Sequence, residues 1–131
     1  MRAVLALMCL VSMTGCDESV TGPTVSLNEN FELSVGSSAA ITGAAFVVRF
    51  NRVTGDSRCP ADAVCIQGGD AVVHITAIDD DARADLELHT GNMQPVNYGS
   101  YTITLVQLQP YPFSSRTIQP DEYRATLKVT R

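Results

Sequence analysis

The sequence lacks an apolar run long enough to cross a membrane. Its longest run, Ala3 to Val11, has nine residues, whereas a transmembrane helix needs about 20 apolar residues to cross roughly 30 Å of hydrocarbon. Basic residues are also few, with 9 of them against 14 acidic residues. This balance argues against nucleic acid as a partner and against a basic patch that binds anionic lipid.

Several motifs of catalytic and metal sites are missing as well. The four cysteines include no Cys-x-x-Cys motif, and there is no second pair to complete a zinc site. Ser57 lacks the Gly-x-Ser-x-Gly context of a hydrolase nucleophile. The run Asp79–Asp81 lacks the spaced acids and the glycine of a calcium loop, so we interpret it as a charged hairpin tip. The sequence therefore predicts no catalytic residue, no cofactor and no metal centre.

The first fifteen residues have the order of a secretory signal peptide. A basic residue, Arg2, precedes the apolar run, and small or polar residues follow it up to Gly15. A charged start, a short apolar middle and a small-residue cleavage region are typical of a segment removed on export. We predict that residues 1–15 are absent from the mature protein.

The residue after that segment, Cys16, predicts how the protein is held at a membrane. Thr14, Gly15 and Cys16 resemble the lipobox of bacterial lipoproteins, which is cleaved immediately before its cysteine. The resemblance implies that Cys16 carries two or three acyl chains, such as palmitate. One chain gives only marginal membrane binding, whereas two give a stable anchor. In the alternative, an ordinary signal peptidase cuts nearby and leaves Cys16 as a thiol.

The remaining cysteines favour the lipid-anchored interpretation. Cys9 is lost with the signal peptide and Cys16 is acylated, which leaves Cys59 and Cys65 as an even pair. Disulfides form and persist in oxidising compartments outside the cytosol. We predict a Cys59–Cys65 disulfide that closes a short loop. Asp56 and Arg58 beside it are expected to pair or to satisfy backbone groups.

The mature chain predicts one all-β domain, an antiparallel β-sandwich or small barrel of about seven strands. Residues 16–28 are polar and contain Gly22-Pro23, so we interpret them as the lipidated cysteine followed by a linker. We predict that residues 29–131 form the domain. Apolar and polar residues alternate with a period of two in segment after segment, and Gly, Pro, Asn and Asp separate them. The apolar positions expected to face the core are Phe31, Leu33, Phe46, Val48, Phe50, Ala71, Val73, Ile75, Ala77, Leu86, Leu88, Tyr101, Ile103, Leu105, Tyr123, Ala125, Leu127 and Val129.

The two histidines offer a weak metal hypothesis. We expect Ile75 to face Leu88 across the turn at Asp79–Asp81. The same register places His74 opposite His89 on the outward face, with Cβ atoms about 4.5–5.5 Å apart. Two imidazoles at that distance can share a transition metal, although a slip of two residues separates them. The simpler interpretation is a polar pair that faces solvent.

Pro110-Tyr111-Pro112-Phe113 is the best candidate contact surface in the sequence. The prolines keep the chain extended, and aromatic residues are enriched at protein interfaces. We therefore predict that Tyr111 and Phe113 can contact a partner. In the alternative, both side chains cap the end of the core.

Three segments resemble those of a group of small, uncharacterised bacterial lipoproteins. They are the Asp-Ser-Arg-Cys-Pro stretch from Asp56 with its second cysteine and glycine, the "LQPYP" of Leu108 to Pro112, and the Tyr-x-Ala-x-Leu-x-Val pattern of Tyr123 to Val129. The resemblance implies a β domain and an envelope location, and it implies no activity.

Together these features predict a lipid-anchored protein of the bacterial cell envelope that faces the periplasm or the cell exterior. Its expected partners are the bilayer, through acylated Cys16, and an unknown envelope protein or ligand. The expected role is non-catalytic binding or structure. The alternative is a small envelope enzyme or metal-binding module that uses His74 and His89.

Overall fold

The computed structural model describes residues 22–131, which form two packed β-sheets. The predicted signal peptide, the lipidation site Cys16 and the first part of the predicted linker lie outside the described residues. The strands are β1 (Thr24–Ser26), β2 (Asn30–Ser34), β3 (Ser38–Thr42), β4 (Val47–Thr54), β5 (Val72–Ile78), β6 (Arg83–His89), β7 (Val96–Tyr98), β8 (Tyr101–Gln109) and β9 (Arg124–Thr130).

The first sheet has the strand order β1-β3-β4-β5-β6, and the second has the order β2-β9-β8-β7. All neighbouring strands are antiparallel except β1, which runs parallel to β3. The predicted all-β sandwich is confirmed, and residues 22–131 form nine strands rather than the predicted seven. Among residues 22–131, no helix has the length and the apolar character needed to cross a membrane.

The two strands that the sequence does not predict, β1 and β7, lie at sheet edges and have three residues each. A run of three residues is too short for alternation to be visible. Strand β1 lies within residues 16–28, so the second half of the predicted linker belongs to the folded domain. Its entry is fixed by a hydrogen bond of 3.0 Å from the Ala40 N–H to the Pro23 carbonyl.

The core lies between the two sheets and is formed by the inward face of each strand. Strands rich in Val, Ile, Phe and Leu suit a pleated surface that is buried on one side. Sixteen of the predicted core positions are buried, while Leu86 and Tyr101 are partly exposed. The structure adds Ala39, Ile41 and Leu108 to the buried set.

Strand directions place two long loops at one end of the sandwich. Strand β4 leads into residues 55–71, which return to the start of β5, and β8 leads into residues 110–123, which return to the start of β9. Hydrogen bonds from Arg58 to the carbonyls of Leu108 and Pro110 show that β4 and β8 finish at the same end and that the two loops lie side by side. We call this the loop end. The turns at residues 79–82 and 99–100 lie at the opposite end.

Candidate functional site

Arg58 forms an ion pair with Asp56 and links the two loops of the loop end. The Arg58 guanidinium donates to both carboxylate oxygens of Asp56, at 2.8 and 2.7 Å. It also donates to the main-chain carbonyls of Leu108 and Pro110, at 2.9 and 3.0 Å. Arg58 therefore joins the first long loop to the exit of β8. The prediction that Asp56 and Arg58 pair and satisfy backbone groups is confirmed.

Tyr123 adds a further contact to the same carboxylate. Its hydroxyl donates a hydrogen bond of 2.8 Å to Asp56. Partial burial raises the pKa of Asp56, but the hydrogen bonds from Arg58 and Tyr123 outweigh it and leave that pKa below 3.8. Burial and the adjacent carboxylate together raise the pKa of Tyr123 to about 12. The Asp56 carboxylate is therefore charged at neutral pH, and the Tyr123 hydroxyl keeps its proton and donates it to that carboxylate in a hydrogen bond.

The predicted disulfide between Cys59 and Cys65 is present. It closes a loop that bulges from the loop end of the sandwich. Val64 and Ile66, on either side of Cys65, have fully exposed side chains. The sequence did not single out these two residues, because one apolar residue on each side of a cysteine carries no periodic signal.

The second long loop packs against the disulfide loop. The Ala61 N–H donates to the Pro112 carbonyl at 2.8 Å, and the Asp62 carboxylate accepts from the Ser114 N–H at 2.9 Å. Tyr111 and Phe113 are 54% and 50% exposed. They therefore do not cap the core, which was the alternative to a contact surface.

Four exposed apolar side chains of the two long loops consequently lie at the loop end. We call Val64, Ile66, Tyr111 and Phe113 the apolar loop surface. Large apolar side chains that cluster in solvent mark interaction sites more often than scattered ones do. The Arg58 guanidinium lies 5.8 Å from the centre of the Tyr111 ring, so a cation–π contact also connects the ion pair to this surface.

The predicted pairing of His74 with His89 is wrong. His74 lies opposite Glu87 and His89 lies opposite Val72, so the register differs by two residues from the predicted one. The turn is centred one residue earlier, because the Asp79 carboxylate accepts hydrogen bonds from the N–H groups of Asp81 and Ala82, at 2.9 and 2.7 Å. This tight turn confirms the interpretation of Asp79–Asp81 as a hairpin tip.

Each histidine has its own partners. A nitrogen of His74 lies 2.7 Å from the Thr54 hydroxyl, and the other nitrogen lies 3.4 Å from a Glu87 oxygen. His89 is hydrogen bonded to Asp70 at 2.6 Å. Across residues 22–131, no group of three or more His, Cys, Asp or Glu side chains is placed to hold a metal ion.

Ser57 belongs to the base of the disulfide loop. Its hydroxyl donates to the main-chain carbonyl of Asp70 at 3.0 Å and accepts from the Asp70 N–H at 3.1 Å. Desolvation raises the pKa of the Asp70 carboxyl, but hydrogen bonds from His89, Gly91 and Thr90 outweigh it and lower that pKa. The hydroxyl of Ser57 thus closes the loop, and the Asp70–His89 pair fixes the neighbouring turn.

The outward face of the first sheet carries a polar cleft of about 470 Å³. Two of its lining residues, Asn51 and Asp85, are joined through Thr76: the Asn51 amide donates to the Thr76 hydroxyl, which donates to Asp85, both at 2.7 Å. Asn51 faces this cleft because β4 has a bulge between Phe50 and Arg52. The cleft is open, and hydrogen bonds within the sheet already occupy these side chains.

Comparison with known proteins adds no family to this description. No protein-family model, no curated protein and no solved structure matches the chain. The described residues define the class of protein: a β-sandwich with a Cys59–Cys65 disulfide and an apolar loop surface at one end.

Proposed function

We propose that this protein is an exported bacterial lipoprotein with a non-catalytic binding or structural role at the cell envelope. In this proposal residues 1–15 are removed, acylated Cys16 anchors the chain, and the β-sandwich faces the periplasm or the cell exterior. The single observation that carries the proposal is the Cys59–Cys65 disulfide in a chain that starts with a signal-like segment. Such bonds persist in oxidising compartments.

The loop end supports a binding role over a catalytic one. Its charged groups are engaged in fixing the loops, as the Asp56–Arg58 pair illustrates. Four large apolar side chains are exposed there among polar ones, and they offer contact area. The alternative of an enzyme or metal module depends on opposed imidazoles, and the observed register gives His74 and His89 different carboxylate partners.

Acylation at Cys16 is tested by mass spectrometry of the protein isolated from bacterial membranes. We expect a mature chain that begins at Cys16 and carries fatty acyl groups. Cys16→Ser should abolish acylation and release the protein from the membrane fraction. The matched control is Cys9→Ser, which alters a cysteine of the removed segment and should leave acylation intact. A free thiol at Cys16 in the mature protein would refute the anchor.

A further inference from the structure

We propose that the apolar loop surface is a second membrane contact, which inserts into the interfacial region of the bilayer that holds the acyl anchor. The proposal rests on the proposed function, because the anchor brings the domain to the bilayer. Its occupant is lipid, and a protein partner on the same surface is the competing outcome of the test.

The chain enters the domain at the loop end. Strand β1 is parallel to β3, with Thr24 beside Ala40, so both strands begin at this end. Gly22 lies so close to Ser38 that an added Cβ would be 2.0 Å from the Ser38 carbonyl oxygen. Gly22, the first described residue, therefore lies on the side of the sandwich that carries the apolar loop surface.

The length of the tether matches the projection of the loops. Arg49 pairs with Ser38, and β4 continues to Thr54, five residues further. At about 3.3 Å per residue, β4 therefore ends about 16 Å beyond the level of Gly22, and the disulfide loop follows it. From Cys16 to Gly22 the chain spans at most about 22 Å, at roughly 3.6 Å per residue. An anchored domain standing on its loop end thus has its loops at the lipid surface.

The side chains of the surface suit the lipid interface. Val64 and Ile66 are fully exposed on the disulfide loop, and Tyr111 is an aromatic residue with a polar tip, the type enriched at membrane interfaces. The chain has a net charge of −5, so attraction to anionic lipid does not drive this contact. The contact is apolar and should therefore be insensitive to the fraction of anionic lipid.

The anchor makes a weak contact sufficient. Once acyl chains hold Cys16 at the bilayer, insertion of the loops is an intramolecular event at high effective concentration. The disulfide closes the first loop, and the hydrogen bonds of Ala61 to Pro112 and of Ser114 to Asp62 hold the second loop against it, so little conformational freedom is lost on insertion. The same surface on an unanchored domain should bind vesicles far more weakly.

The absence of tryptophan from the chain provides the test. Ile66→Trp places a single fluorophore on the apolar loop surface, and Ser100→Trp places a matched one on the exposed turn at the opposite end. The mature acylated variants, which begin at Cys16, are reconstituted in vesicles of phosphatidylethanolamine and phosphatidylglycerol with brominated acyl chains. We expect blue-shifted, bromine-quenched emission for the Ile66→Trp variant and unquenched emission for the Ser100→Trp variant.

Two further samples separate this proposal from the anchor. Val64→Asp introduced into the Ile66→Trp variant should remove the quenching while the acylated protein still floats with vesicles. If the acylated Ile66→Trp variant floats but is quenched no more than the Ser100→Trp variant, the bilayer is not the occupant and the proposal is overturned. Suppose that mass spectrometry finds no acyl group on Cys16 of the Ile66→Trp variant and that its emission is still quenched. This outcome would support insertion of the loops and would refute only the lipid anchor.

Discussion

The hydroxyl of Tyr123 donates a hydrogen bond of 2.8 Å to the carboxylate of Asp56, 67 residues earlier in the chain. This contact ties the start of β9 in the second sheet to the disulfide loop that follows β4 in the first. Together with Arg58 it makes the loop end part of the folded body rather than a pendant segment. The position of the apolar loop surface depends on this link.

Tyr123→Phe should destabilise the protein by about 1.5–3 kcal/mol, the usual range for a hydrogen bond to a charged group. The substitution leaves a largely buried carboxylate with one donor fewer. The measurement is the free energy of unfolding by urea at neutral pH. Tyr111→Phe is the matched control, because its ring is half exposed, and it should change stability by less than about 0.5 kcal/mol. Equal losses for the two variants would contradict this account.

Stability should fall in acid partly through Asp56. The pKa of this carboxyl is below 3.8 in the folded protein, because hydrogen bonds from Arg58 and Tyr123 outweigh the effect of burial. The folded state therefore binds its proton less readily than the unfolded chain. The stabilisation is present above the unfolded pKa and is lost as the pH falls through the folded one. In the Asp56→Asn variant, the free energy of unfolding by urea should fall less steeply with decreasing pH. An unchanged dependence on pH would exclude Asp56 as the source of the loss.

Stability should also fall in alkali, through ionisation of Tyr123. Burial and the Asp56 carboxylate raise the pKa of its phenol from 10.0 to about 12. The folded state holds this proton more tightly than the unfolded chain does. The stabilisation is therefore complete below pH 10 and disappears as the pH rises through about 12. Tyrosinate absorbance should show one late-titrating phenol that is missing from Tyr123→Phe. The same late phase in that variant would assign it to another tyrosine.

Sequence alternation located the core but could not set the register of β5 against β6. Ile75 faces inward whether its neighbour is Leu88, as predicted, or Leu86, as observed. A shift of two residues keeps every side chain on its own face of the sheet, so the hydrophobic pattern fits both pairings. The deciding contacts are the hydrogen bonds that Asp79 accepts within the turn. Asp79 stood in a run of three aspartates, and the sequence does not say which of them closes the turn.

The candidate site was only half visible in the sequence for a similar reason. Tyr111 and Phe113 stood out because prolines flank them, whereas Val64 and Ile66 looked like ordinary apolar residues of a loop. Their place beside Tyr111 and Phe113 at the loop end depends on the packing of one long loop on the other, which is a non-local contact. Short edge strands such as Thr24–Ser26 were missed because parallel pairing with β3, rather than local alternation, places them in the sheet.

Removing the disulfide should weaken the domain without unfolding it. Closing a loop of seven residues contributes about 2 kcal/mol on the chain-entropy model, and the core between the sheets does not include Cys59 or Cys65. The double variant Cys59→Ser/Cys65→Ser should lose that amount in urea unfolding and keep its β-sheet circular dichroism spectrum. In the native protein an alkylating reagent should label neither cysteine until a reductant is added. Labelling of Cys59 or Cys65 before reduction would contradict the disulfide.

Two adjacent glycines at the base of the disulfide loop give the sharpest stability test. A Cβ on Gly69 would lie 1.5 Å from the Ser57 carbonyl oxygen, whereas a Cβ on Gly68 would have nothing within 4 Å. Gly69→Ala must therefore push apart the two chain segments that Ser57 and Asp70 join, and overpacking of this kind costs about 1–3 kcal/mol. Gly68→Ala is the matched control and should change the free energy of unfolding by less than about 0.5 kcal/mol. Because Gly69→Ala opens the loop at its base, it should also expose Cys59 and Cys65 to faster reduction. If the two alanine variants are equally stable and equally slow to reduce, the close approach of Gly69 to Ser57 does not hold the loop.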